Sequence, residues 1–238
     1  MEDYDPLANI PAPSAARPLL GLTVLVVEDS RYASDALRLL CLRSGARIRR
    51  ADCIASARRH LQVYRPSVIL VDVGLPDGSG LDLIAELTTL APRIDIILGL
   101  SGDELMQDRV MAAGADGFFA KPVENIAQFQ ETILAHLPAE RRPAGPRGLN
   151  QECVHPDILA YNDDLAHIAN LIDEGCDPRQ VSYVAQFVTG VAKTARDEPL
   201  IKAGKALAAA QAAKQPVHQP VAVLAGLVQQ RLDTLVAI

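Results

Sequence analysis

Five positions scattered through the chain carry groups able to do chemistry together: the adjacent carboxylates Glu28 and Asp29, the carboxylate Asp72, the hydroxyl Ser101 and the ammonium Lys121. Asp72 is the most telling of them. It closes the apolar run SVILVD and is followed at once by the glycine- and proline-rich VGLPDGSGL. Carboxylates gathered in one place repel one another unless a cation neutralises them, and hard oxygen donors suit a magnesium ion that keeps part of its water. A phosphoryl group brought there would meet the cation, the Lys121 ammonium and the Ser101 hydroxyl. Such a set suits phosphoryl transfer onto Asp72.

These residues meet only if the fold gathers them. From Leu22 the chain alternates short β-rich runs (LTVLVVED, ARIRRAD, SVILVD, IDIILGLS, ADGFFAK) with amphipathic segments that begin near Arg31, Cys53, Gly80, Asp103 and Val123. Five such units predict an α/β fold, a doubly wound five-stranded parallel sheet of the flavodoxin-like kind, with helices on both faces. Ligands in such sheets bind beyond the carboxyl ends of the strands. Glu28-Asp29, Asp72, Ser101-Gly102 and Lys121-Pro122 each fall at a strand end. The glycines after Asp72 are expected to free the backbone so that a metal and a phosphoryl donor can approach. Taken singly, each residue has an ordinary role: Glu28-Asp29 would cap the next helix with Ser30, Lys121-Pro122 would begin a helix, and Phe118 would be core.

Taken together, residues 22 to 138 resemble the receiver domain of two-component response regulators, whose elements occur here in the family's order. The resemblance implies that Asp72 is the phosphoacceptor, that Glu28 and Asp29 with Asp72 and the Gly74 carbonyl hold magnesium, and that Ser101 and Lys121 contact the phosphoryl group. It makes Ser101 and Phe118 a switch pair. It implies a histidine kinase or a histidine phosphotransfer protein as donor. Two positions depart from the family's pattern: Gly74 replaces a larger side chain two residues after the acceptor, and Phe118 lacks a tyrosine hydroxyl.

The expected organisation is a flexible tail at 1–19, a receiver at 20–138, a linker at 139–150 around ERRPAGPRG, and an all-α domain of about four helices at 151–238. In the last, a helix stops at Gly175, Asp177-Pro178 reads as a cap followed by proline, and further helices follow Pro199 and Pro220. The stripe Leu224, Leu227, Val228, Leu232, Leu235 and Val236 reads as bundle core or as a contact with another subunit or a kinase. His167 is read as a surface or packed histidine. A second copy of the chain is carried as a partner.

Composition sets limits on the rest. With a formal charge of -6 overall and residues 139 to 238 nearly balanced, the chain lacks the basic excess of a phosphate-backbone binder, and DNA is not expected as a partner. Four cysteines without a CxxC pair fit a reducing cytosol, so a cytoplasmic protein is expected. Neither a targeting segment nor a membrane-inserted run is read in the chain. Residues 139 to 238 show no catalytic constellation, so no enzyme is expected there. The expected output is protein contact made by the helical domain, acting outward or back on the kinase relay. The alternative is a transcription regulator with an unfamiliar DNA-binding bundle.

Overall fold

The computed structural model describes residues 12–145, 148–175 and 178–236. Seven strands and nine α-helices lie among the described residues. Five strands form one parallel sheet: β1 (Thr23–Val27), β2 (Arg47–Ala51), β3 (Val68–Asp72), β6 (Ile96–Ser101) and β7 (Gly117–Ala120). Their order is β2-β1-β3-β6-β7, so the winding reverses beside β1, between β1 and β3. Each of the five falls within a run expected to be a strand.

The alternation of side chains along the strands builds two cores. Val24, Val26, Leu70 and Leu98 face α1 (Arg31–Ser44) and α5 (Ile126–His136). Leu25, Val27, Ile69, Val71 and Ile97 face α2 (Ile54–Val63), α3 (Gly80–Thr88) and α4 (Gln107–Ala112). β3 and β6 are buried at every position because both faces are covered. β2 departs from that pattern: its sequence RIRRA is largely exposed, and its charges suit an edge strand that must not pair further.

The helix starts have local causes. Ser30 caps α1, its hydroxyl accepting from the Ala33 N–H at 3.0 Å. The last helix of the sheet region starts three residues later than its sequence suggests, at Ile126, where Asn125 Oδ1 accepts from the Gln128 N–H at 2.9 Å. The loop after Asp72 forms a small hairpin of β4 (Gly74–Leu75) and β5 (Gly78–Ser79). Asp77 at its tip accepts from the N–H groups of Ile54 and Ala55, both at 2.8 Å, and ties the hairpin to the start of α2.

Residues 158–236 hold α6 (Ile158–Asp173), α7 (Pro178–Ala195), α8 (Glu198–Ala212) and α9 (His218–Val236). Leu165, Ile168, Val184, Val188, Leu207 and Leu224 are among the residues of their common core. Leu224 and Val228 are fully buried in it and Leu227 and Leu232 pack against it, so these members of the apolar stripe are bundle core. The side chains of Leu235 and Val236, and the cap expected at Asp177, lie outside the described residues.

Two stretches at the margins of the sheet region pack onto it. Leu19 is fully buried. Residues 150–154 run along the start of α5, where the carbonyls of Glu152 and Asn150 accept from the N–H groups of Ile126 and Ala127, each at 3.0 Å. Val154 is buried in the first core. The helical region is therefore stitched to the sheet region before α6 begins.

Candidate functional site

The reversal between β1 and β3 opens a crevice at their carboxyl ends, and Glu28, Asp29 and Asp72 stand there. One carboxylate oxygen from each lies within 4.8 Å of the others. Lys121, which follows β7, reaches back across the sheet end: its Nζ is 2.6 Å from Glu28 Oε2 and 3.1 Å from Asp72 Oδ2. Glu28 and Asp72 are buried, and backbone N–H groups of Val73 and Gly74 donate to the Asp72 carboxylate.

Three carboxylates face one ammonium here, and the imbalance shows in their protonation. Burial raises the Glu28 carboxyl well above its ordinary value, against the pull of Lys121. Burial and the neighbouring Asp72 push Asp29 up to about 7. Burial also raises Asp72, with Lys121 opposing it. Burial alone would lower Lys121, but Asp72 and Glu28 outweigh it and hold the ammonium above its usual range. Asp29 Oδ1 is buried with no hydrogen-bond partner among the described residues. An orphaned carboxylate oxygen inside an excess of negative charge fits a hard divalent cation.

The other expected residues lie close by in differing ways. Ser101 ends β6, is buried, and accepts on its Oγ from the Asp103 N–H at 3.0 Å. Gly74 lines the same small cavity as Glu28, Asp29, Asp72 and Lys121. Phe118 is half-buried on β7 against the second core, while its neighbour Phe119 is the fully buried aromatic, stacked on Phe129. Gly80 answers a packing need: a Cβ there would sit 1.9 Å from the Asp72 carbonyl oxygen, so α3 could not approach β3. His167 is exposed and edge-on to Phe187.

Residues of the helical region complete the site, and the sequence did not reveal them. Tyr183 on α7 donates its hydroxyl to Asp29 Oδ2 at 2.6 Å. Gln186, one turn on, stands against Gly74, where a Cβ would meet its side chain at 2.2 Å. The expected open approach at Gly74 is thus filled by α7, and the small residue two positions after Asp72 is what admits Gln186. Lys193 donates to the Gly102 carbonyl. On α6, buried Asp164 accepts from Ser30 Oγ at 2.7 Å and from the N–H groups of Arg31 and Tyr32 at 2.8 and 3.1 Å, capping a helix of the other region.

Residues 24–133 match the model of the response regulator receiver domain. The KDP operon transcriptional regulatory protein KdpE of Escherichia coli is 30% identical over 114 residues, which cover 48% of this chain and 50% of the relative. The transcriptional regulatory protein KdpE of Mycobacterium tuberculosis is 31% identical over 144 residues, covering 60% and 61%. The chain thus spans about half to three-fifths of the length of these relatives. Both are transcriptional regulators, so the expectation that DNA is no partner finds no support in them. Among solved structures, the signal receiver domain of a DNA binding response regulator from Colwellia psychrerythraea is 25% identical, with 47% of this chain and 94% of that one covered and a TM-score of 0.43. The receiver domain of a sensor histidine kinase from Pseudomonas aeruginosa, which carries magnesium in its active site cleft, is 25% identical over 48% and 96% of the two chains, with a TM-score of 0.44. Residues 24–133 belong to the response regulator receiver domain family.

Proposed function

We propose that the chain is a two-component response regulator that accepts a phosphoryl group on Asp72 from a histidine kinase or a histidine phosphotransfer protein. The observation that carries this is the meeting of Glu28, Asp29 and Asp72 with Lys121 at the carboxyl ends of the strands, inside the matched region. In the transfer, an Asp72 carboxylate oxygen attacks phosphorus, the new P–O bond forms as the donor's P–N bond breaks, and the donor imidazole leaves with its electron pair and takes a proton. Magnesium held by Glu28, Asp29, Asp72 and the Gly74 carbonyl would supply positive charge to the phosphoryl oxygens. Lys121, already paired with Asp72, keeps an ammonium beside the transferred group. Ser101 exchanges the Asp103 N–H for a phosphoryl oxygen, and Phe118 turns into the space it leaves.

The output is protein contact through the helical region in a cytoplasmic protein, and the chain itself is an acceptor rather than an enzyme. No described helix is long and apolar enough to cross a membrane. A second reading, regulation of transcription through DNA contact by the helices, is favoured by the names of the relatives. Duplex binding that weakens steeply with salt would select it. For the acceptor, incubation with a small acyl phosphate and magnesium is expected to label the wild type and not Asp72→Asn. Equal labelling of both would overturn the assignment.

A further inference from the structure

We propose that Tyr183 and Gln186 of α7 belong to the acceptor site and close it, so that loading the site and releasing the α6–α7 face are one event. The inference rests on the reading of Asp72 as acceptor and goes beyond it by assigning the helical region a place in the site. Three observations carry it.

The first is space. The cavity bounded by Glu28, Asp29, Asp72, Lys121, Gln186 and Gly190 is about 20 Å³. A water-sized sphere occupies roughly 10–15 Å³, so the cavity takes an ion or a water and excludes a phosphoryl group with its donor. A second, broader cleft of about 710 Å³ lies next to it, and Gly74, Gly102, Gln186 and Gly190 line both. Gln186 and the backbone of α7 at Gly190 are thus the part of that wall contributed by the helical region.

The second is competition. Tyr183 donates to Asp29 Oδ2 from a helix packed over the carboxylates. A cation on the unpartnered Asp29 Oδ1 would draw charge from the carboxylate and weaken the bond that Oδ2 accepts from that hydroxyl. The third is attachment. The face is fixed beside the site: Asp164 caps α1 through Ser30, which lines the cavity, and through Arg31 and Tyr32, and Arg196 pairs with Glu124 at 3.0 Å. Tyr32 packs into the core of the helical region, with its ring 5.5 Å from that of Tyr161. A change at the β1–α1 junction is therefore transmitted to α6 as well as to α7. The surface uncovered on release carries Tyr183, Gln186 and Gly190, which become available to a protein partner only in the loaded state.

The test uses the full chain as wild type, Tyr183→Phe, Gln186→Ala and the double variant. Gln186 is exposed, so its truncation leaves the fold intact. Magnesium affinity is read by calorimetry, labelling by a small acyl phosphate as an initial rate, and closure by hydrogen exchange at residues 28–32 and 182–193. Loss of one charge-assisted hydrogen bond that favours the closed form predicts magnesium binding about tenfold tighter in Tyr183→Phe. Labelling is expected to rise by a similar factor in the double variant, and wild-type exchange at both segments to increase on adding magnesium with beryllofluoride. Unchanged magnesium affinity in Tyr183→Phe together with unchanged exchange on loading would overturn the proposal. If Asp72→Asn is labelled like the wild type while Tyr183→Phe still tightens magnesium, the acceptor assignment fails and the closure stands.

Discussion

Replacing Lys121 by methionine tests the electrostatics of the site with little change of volume. The ammonium lies 2.6 Å from Glu28 Oε2 and 3.1 Å from Asp72 Oδ2, with its side chain 7% exposed. Removing one partner of a buried ion pair leaves the other uncompensated, at a cost of about 3–5 kcal/mol. Three carboxylates are left here, within 4.8 Å of one another. Lys121 lowers the pKa of Glu28, Asp29 and Asp72, so its removal sends all three higher still. A carboxyl whose folded pKa is raised contributes stability that is present below its unfolded value and lost as pH rises through the folded one. The penalty is therefore a high-pH penalty. Lys121 itself has a raised pKa, so in the wild type its contribution persists through neutral pH. Urea denaturation in chelator should show Lys121→Met about 3–5 kcal/mol below the wild type near pH 8 and close to it near pH 5. Magnesium should restore part of the loss. A penalty equal at the two pH values, or none near pH 8, would refute the reasoning.

Asp29→Asn removes a carboxyl held up to about 7. Between its ordinary pKa and that value the folded chain keeps a proton the unfolded chain has released, so metal-free stability falls as pH rises, by at most about 1.4 kcal/mol per unit. The variant should lose that slope, match or exceed the wild type in chelator near neutral pH, and gain nothing from magnesium; thermal melts across pH check all three. Gly80→Ala places a Cβ 1.9 Å from the Asp72 carbonyl oxygen, and backbone cannot yield as a side-chain tip does. A loss of more than about 2 kcal/mol with impaired labelling is expected, and a neutral change would count against the packing account. Asp164→Ala removes the acceptor for Ser30 and for two N–H groups at the start of α1. A cost of about 2–4 kcal/mol by denaturation and faster exchange at residues 30–32 should follow.

The sheet region was legible because local and global signals agree in it. β3 and β6 are apolar runs that end in polar residues and β1 is one followed at once by Glu28 and Asp29, and in a doubly wound sheet those ends must share one edge. Once the strands were placed, Glu28, Asp29, Asp72 and Lys121 had nowhere else to be. The late start of α5 was not legible, since Val123 to Asn125 are extended by contacts with residues 150–154, far along the chain. Gly80 misled for a related reason. A glycine after a strand reads as freedom for a ligand, whereas the close partner of this one is its own neighbouring backbone.

The closure of the site was illegible for a deeper reason. Asp163 and Asp164 sit side by side in a polar stretch of α6 and look alike as letters. Yet Asp163 pairs with Arg31 at the surface while Asp164 is buried against the start of α1. A carboxylate is buried only where donors replace its water, and the donors here, the Ser30 hydroxyl and the N–H groups of Arg31 and Tyr32, lie more than a hundred residues earlier, in a helix start whose own cap serves Ala33. Tyr183 likewise reads as one more aromatic on a helix face, because its hydroxyl has no sequence neighbour to meet. What periodicity reports is which face of a helix is apolar. It is silent on a polar pair that forms only when two finished units meet, and in this chain the clustered carboxylates are met by such pairs. The same silence explains Gly74: in the sequence it is only a departure from the family's larger side chain, and the structure shows the space it leaves taken by Gln186 of α7.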